Sequence, residues 1–155
     1  MLKIEQIDLD LLATALADQS ADEYQWTIDP ATGEISTAFD SAISGEPPDD
    51  LEELGLTPIE ALPSRVWFRD MADFTDLLTD ERAARRLARS LQGRGSFRRF
   101  RNELHDEHPE LVPAWNAFRD TRAARRAVER LLDNKLIDED AADRYRRDHP
   151  DPSVQ

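Results

Sequence analysis

A chain of 155 residues is long enough to bury a core without crosslinks, and with no cysteine it has neither disulfides nor thiolate metal sites. Its 33 acidic residues against 20 basic ones give a net charge of −13, which repels polyanions at a distance. No apolar run approaches the roughly 20 residues that span a bilayer, and MLKIEQIDLDLLATALAD lacks the basic segment and apolar stretch of a signal peptide, so a cytoplasmic protein with no membrane partner is expected.

Asp8 or Asp10 can cap a first helix in which Leu9, Leu12, Ala13 and Leu16 share a face. The period then shortens. Tyr24, Trp26 and Ile28 alternate with polar neighbours, Asp29-Pro30-Ala31-Thr32-Gly33 supplies turn chemistry, and Ile35, Thr37 and Phe39 resume the alternation, which predicts a β-hairpin. Ser44 to Thr57 is acidic and rich in Pro and Gly, hence a loop, and Pro58 to Leu62 can add a third short strand.

After Pro63 helical spacing takes over. Trp67, Met71, Phe74 and Leu78 form one stripe, and Asp80 can cap a helix whose apolar face is Ala84, Leu87, Ala88 and Leu91 and which stops at Gln92-Gly93. Ser96 is expected to cap a short helix with Phe97, Phe100 and Leu104 inward, ended by His108-Pro109. A longer helix follows from about Val112 to Asn134 with Trp115, Phe118, Thr121, Val128, Leu131 and Leu132 toward the core, and Asp138 caps the last, with Ile137 placed to pack on Ala142. Pro150 onward reads as a frayed tail. ERAARRLARSL and TRAARRAVERLL look alike, but both are built from strong helix formers and their flanks do not align, so no duplication is inferred.

Charge is unevenly divided. Residues 1–60 hold 15 acidic residues and one basic, Lys3, whereas Arg82 to Arg130 contains 13 arginines against 6 acids. An acidic lobe attached to an arginine-bearing one follows. Taken together the elements predict an α+β fold: an amino-terminal helix and small antiparallel hairpin or sheet packed on a carboxy-terminal bundle of about four helices. Residues 1–147 form one domain in this reading, with an acidic lobe over 1–62, a helical lobe over 63–147, and a flexible tail over 148–155.

Thr32-Gly33-Glu34, Met71-Ala72-Asp73-Phe74, Gly93 through Phe100 and Trp115-Asn116-Ala117-Phe118-Arg119-Asp120 occur in an order that resembles a bacterial group, uncharacterised protein family one-five-eight. The resemblance runs from about Leu9 to Asn134 and implies that Gly93–Phe100 and Trp115–Arg119 form a shared core or surface; it carries no activity and no catalytic residues. The longer acidic spacer and arginine-heavy last helices depart from it.

Within GRGSFRRF, Phe97 and Phe100 are three apart and should pack inward, while Arg94, Arg98, Arg99 and Arg101 point elsewhere, to solvent, acids or phosphates. The two glycines permit a tight turn, and backbone N–H groups after Ser96 can receive an anion. The favoured reading is a joint between helices whose arginines are tied to carboxylates of the chain. Arg82, Arg85, Arg86 and Arg89, and again Arg122, Arg125, Arg126 and Arg130, form basic stripes that would attract a polyanion, although the acidic segment Glu46 to Glu53 can screen them. His105 and His108 lack a metal-site pattern, and no nucleophile motif or phosphate loop appears, so neither metal nor other cofactor nor catalysis is expected. Candidate interaction or anion residues are Arg94, Ser96, Arg98, Arg99, Arg101, Arg119, Arg122 and Arg126. A protein partner, on a non-catalytic regulatory or interaction module, is the first functional reading, and nucleic acid the alternative.

Overall fold

A computed structural model describes residues 1–19, 25–37 and 55–154. The expected contributions of Tyr24 and Phe39 to the hairpin, and of the acidic segment Glu46 to Glu53, lie outside the described residues. The architecture is α+β: helix α1 (Leu9–Ala17), strands β1 (Trp26–Ile28), β2 (Ile35–Thr37) and β3 (Thr57–Ile59), then helices α2 (Ser64–Leu77), α3 (Glu81–Ser90), α4 (Ser96–Glu107), α5 (Val112–Asp133) and α6 (Glu139–Asp148). Single 3-10 turns stand at Ile4–Gln6 and Pro109–Leu111.

Two compact units result, one of Met1–Pro63 with Ala123–His149, the other of Ser64–Arg122 with Pro150–Gln155. Residues 123–149, expected in the helical lobe, instead cluster with the amino-terminal residues. The second unit carries 12 arginines against 11 acids and the first 8 basic residues against 22, so the acidity stays in the first unit, which also holds all seven basic residues beyond position 122.

In the first unit the Asp8 side chain accepts from Leu11 N at 3.0 Å and caps α1, whose Leu12 and Leu16 are wholly buried. The sheet is antiparallel in the order β2-β1-β3, with Ile28 opposite Ile35 and Trp26 opposite Ile59. Its hairpin turns because the Asp29 carboxylate accepts from Ala31 N at 2.9 Å and Gly33, at φ +82°, takes a left-handed conformation open to a residue without Cβ. Pro58 cannot donate to a ladder and sits in edge strand β3. The Trp26 indole donates to Asp18 at 2.8 Å, and Leu62 N donates to the Leu16 carbonyl at 2.7 Å, which fastens the segment after β3 to α1.

α5 ends in a Schellman turn: Leu136 N donates to Leu131 O and Lys135 N to Leu132 O, both at 2.9 Å. The residue in the left-handed position is Lys135, at φ 59°, where glycine is the usual occupant. Leu2 N donates to Leu136 O at 2.8 Å, so the amino terminus is pinned to the same turn. Asp138 then caps α6 by accepting from Ala141 N at 2.7 Å, with Ile137 and Ala142 both buried as a staple requires. Arg146 grips Glu129 through both carboxylate oxygens, at 2.5 and 2.9 Å, and so ties α6 to α5.

The second unit is built on aromatic rings. Phe74 lies 5.2 Å from Trp115 and 5.7 Å from Phe118, and Phe100 lies 5.1 Å from Trp115. Met71, Leu87, Leu104 and Val154 complete this cluster. Val154 corrects the expected flexible tail: it is 7% exposed, because the short segment after α6 supplies an apolar side chain to a core of large rings. Phe97 corrects the expected packing of α4. Inward positions there are Ser96, Phe100 and Leu104, an i, i+4, i+8 seam, so Phe97 falls at its edge, about 60° from Phe100, and is 45% exposed.

Two outcomes follow. Lys135→Gly should stabilise the protein, since it releases about 1–2 kcal/mol of left-handed strain and returns about 0.5–1 kcal/mol of backbone entropy; calorimetry should show a higher Tm, by up to about 4 °C. The hydrogen bonds from Arg146 hold the Glu129 carboxyl below its ordinary pKa against the opposing effect of burial. A depressed carboxylate contributes stability above its unfolded pKa, near 4.3, and loses it as pH falls through the folded value. Glu129→Gln should therefore cost a few tenths to about 1 kcal/mol at pH 7, and urea titrations should show that deficit shrink as the pH is lowered into the acid range where the folded carboxylate takes up its proton.

Candidate functional site

GRGSFRRF joins α3 to α4, and one of its arginines makes the joint. The last carbonyls of a helix lack partners within it. Arg99 reaches back from α4 and donates to Ser90 O, at 3.2 Å, and to the carbonyls of Gln92 and Arg94. A cation there also meets the negative end of the α3 dipole. The guanidinium occupies the concave side of the turn: a Cβ built on Gly95 would stand 3.4 Å from its Nη1, and Gly95 itself, at φ +74°, is the left-handed residue that opens α4. Sequence reasoning assigned the arginines of this segment to carboxylates. Backbone carbonyls are the correct partners for Arg99, because its helix starts within reach of the carbonyls that α3 leaves unmet.

Ser96 is not the cap of α4. It is the first residue of that helix, 8% exposed, with Gly95 at the cap position and no side-chain bond closing it. Arg94, Arg98 and Arg101 behave differently. All three are exposed, and among the described residues they make no ion pair. Phe97 stands between them, its ring set edge-on to Phe68 at 6.5 Å.

The second expected basic stripe is spent inside the chain, and the first only at Arg86. Arg86 pairs with Glu103 at 2.8 Å and Glu107 at 3.9 Å, which joins α3 to α4 and leaves Arg82, Arg85 and Arg89 exposed. Arg119 pairs with its neighbour Asp120 at 3.2 Å. Arg130 donates to the Glu60 carbonyl at 2.8 Å, and Arg125 and Arg126 also have partners. A continuous cationic track does not form from the second stripe.

Arg122 holds the most connected position of the eight candidates. It meets Asp73 at 2.5 Å, Asp151 at 3.0 Å and Asp70 at 3.4 Å, and its guanidinium lies 4.6 Å from the centre of the Phe118 ring. Burial alone would lower its pKa, but the hydrogen bonds and charges of Asp151 and Asp73 outweigh burial and raise it, so the residue is cationic at every accessible pH. A residue so committed cannot also receive an external anion. Asp70 has a signature in the sequence: it lies three residues after Trp67 and four before Phe74, on the apolar face of α2, where a carboxylate requires a cation.

His105 is exposed and His108 buried, and among the described residues no three His, Asp or Glu side chains gather as a metal site would need. No helix of the described residues is long and apolar enough to cross a membrane.

Arg122→Ala should destabilise the protein by about 3 kcal/mol, since Asp70, whose side chain is 2% exposed, loses a cationic partner inside the fold. Asp151→Asn, at a side chain 32% exposed, should cost below about 1 kcal/mol. Denaturant titration of both variants, read at pH 7, checks the ratio.

No family model matches the chain, and no solved structure matches it. Among curated proteins it is 31% identical to a UPF0158 protein of Pseudomonas aeruginosa, over 84% of each chain. At that identity and coverage, with the Gly93–Phe100 turn and the Trp115–Arg119 segment placed in one aromatic-centred unit, the chain belongs to the UPF0158 family.

Proposed function

We propose that this protein is a non-catalytic interaction or regulatory module of the cell interior, and that its partner is another protein. One observation carries the reading. Of the arginines in the candidate set, Arg99, Arg119, Arg122 and Arg126 have partners within the chain, whereas Arg94, Arg98 and Arg101 surround a half-exposed Phe97. An aromatic ring rimmed by arginines has the composition of an interface centre.

Nucleic acid is the second reading, and the same three arginines favour it, since they are tied to no carboxylate. Magnitude tells against it. The three arginines at Phe97 alone fall below the 6–10 phosphate contacts that give a DNA-binding protein its salt-dependent grip, and although Arg82, Arg85 and Arg89 of α3 are also exposed, the chain carries a net −13 that opposes a polyanion.

A photo-crosslinking amino acid at position 97 tests the choice in the native cell. The expected product is an adduct destroyed by protease and indifferent to nuclease. An adduct that takes up label from polynucleotide kinase and collapses with nuclease would transfer the function to nucleic acid.

A further inference from the structure

We infer that the exposed face of α4 and the adjoining ring of α2 form a docking surface for a short acidic peptide segment of a partner protein, one that carries an apolar side chain between its carboxylates. This rests on the protein-partner reading above and names the chemistry of that partner.

The apolar element comes first. Phe97 is one of the few large hydrophobic side chains left exposed among the described residues, and it is not isolated: Phe68 meets it at 6.5 Å with the ring planes 73° apart. Phe68 in turn packs against the buried cluster of Phe74, Phe100 and Trp115. The two rings therefore make a rigid platform, anchored from below, on which an apolar side chain can settle with little entropy lost by the receiving surface.

The polar element is arranged around it. On a helix, position 101 lies one turn after 97, and 98 lies three before 101, so Arg98 and Arg101 border the Phe97 ring along α4. Arg94 stands in the turn before the helix, and Arg65 stands one turn before Phe68 in α2; both are exposed. Guanidinium groups bind carboxylates in a planar, two-pronged manner that lysine cannot match, and this surface contains no lysine. Charge complementarity thus specifies an acidic occupant. The small number of arginines and the central ring specify a short one with an apolar anchor, in place of a long polyphosphate.

Fluorescence anisotropy with the full chain tests this with three labelled probes of equal length: an acidic peptide bearing two leucines, the same peptide with serine in place of leucine, and a single-stranded oligonucleotide. The leucine peptide should bind at least tenfold more tightly than the other two at physiological salt. Phe97→Ala and the double variant Arg98→Ala/Arg101→Ala should each weaken it at least tenfold, while Arg85→Ala on α3 leaves it unchanged. Circular dichroism and melting keep the test sound, since exposed side chains should be replaceable with the fold intact. Equal binding of the two peptides would overturn the anchored mode, as would insensitivity to Phe97→Ala. Tightest binding of the oligonucleotide would overturn both this inference and the protein-partner reading. Protease-sensitive crosslinks at position 97 without peptide binding would leave the protein-partner reading standing and defeat the acidic-segment inference alone.

Discussion

The second unit depends on one guanidinium. Arg122 collects Asp70 and Asp73 of α2 and Asp151 of the carboxy-terminal segment, and covers the Phe118 ring. Each contact solves a problem raised by another. Asp70 sits on the apolar face of its helix and needs a cation, Arg122 loses water and needs acids, and Asp151 brings with it Val154, which fills part of the aromatic cluster. Buried charge is costly unless fully partnered, so the network is worth less as stabilisation than as registration: it fixes where α2, α5 and the last residues meet.

Arg99 performs the same kind of service at the α3–α4 turn, with backbone carbonyls in place of carboxylates. Structural use of Arg99, Arg86 and Arg122 has a functional consequence. It reduces the two stripes to Arg82, Arg85 and Arg89 of α3 and leaves Arg94, Arg98 and Arg101 grouped around an exposed ring. A compact patch suits a short peptide better than a long polyanion.

Phe97 and Phe100 show how close the sequence came and where it failed. Both are apolar, three residues apart, and either a 97–100–104 or a 96–100–104 seam satisfies helical spacing. Packing chose the second, which buried a serine and exposed a phenylalanine. The tail offers a similar case: Asp-Pro-Ser-Val has no period to read, and only the proximity of Arg122 and the aromatic cluster gives Asp151 and Val154 their places.

Local physics was written in the chain. The short strands at Trp26–Ile28 and Ile35–Thr37, the Asp-Pro-Ala-Thr-Gly turn, the caps Asp8, Asp80 and Asp138, and the Ile137–Ala142 staple each involve residues within a few positions of one another, so backbone sterics and short hydrogen bonds determine them. The sharing of the chain between units, the partners of Arg122, the use of Arg99 as a cap and the exposure of Phe97 were decided by tertiary structure. Charges and rings have no intrinsic preference among distant partners; only the packed arrangement of helices brings one acid, one carbonyl or open solvent to each of them.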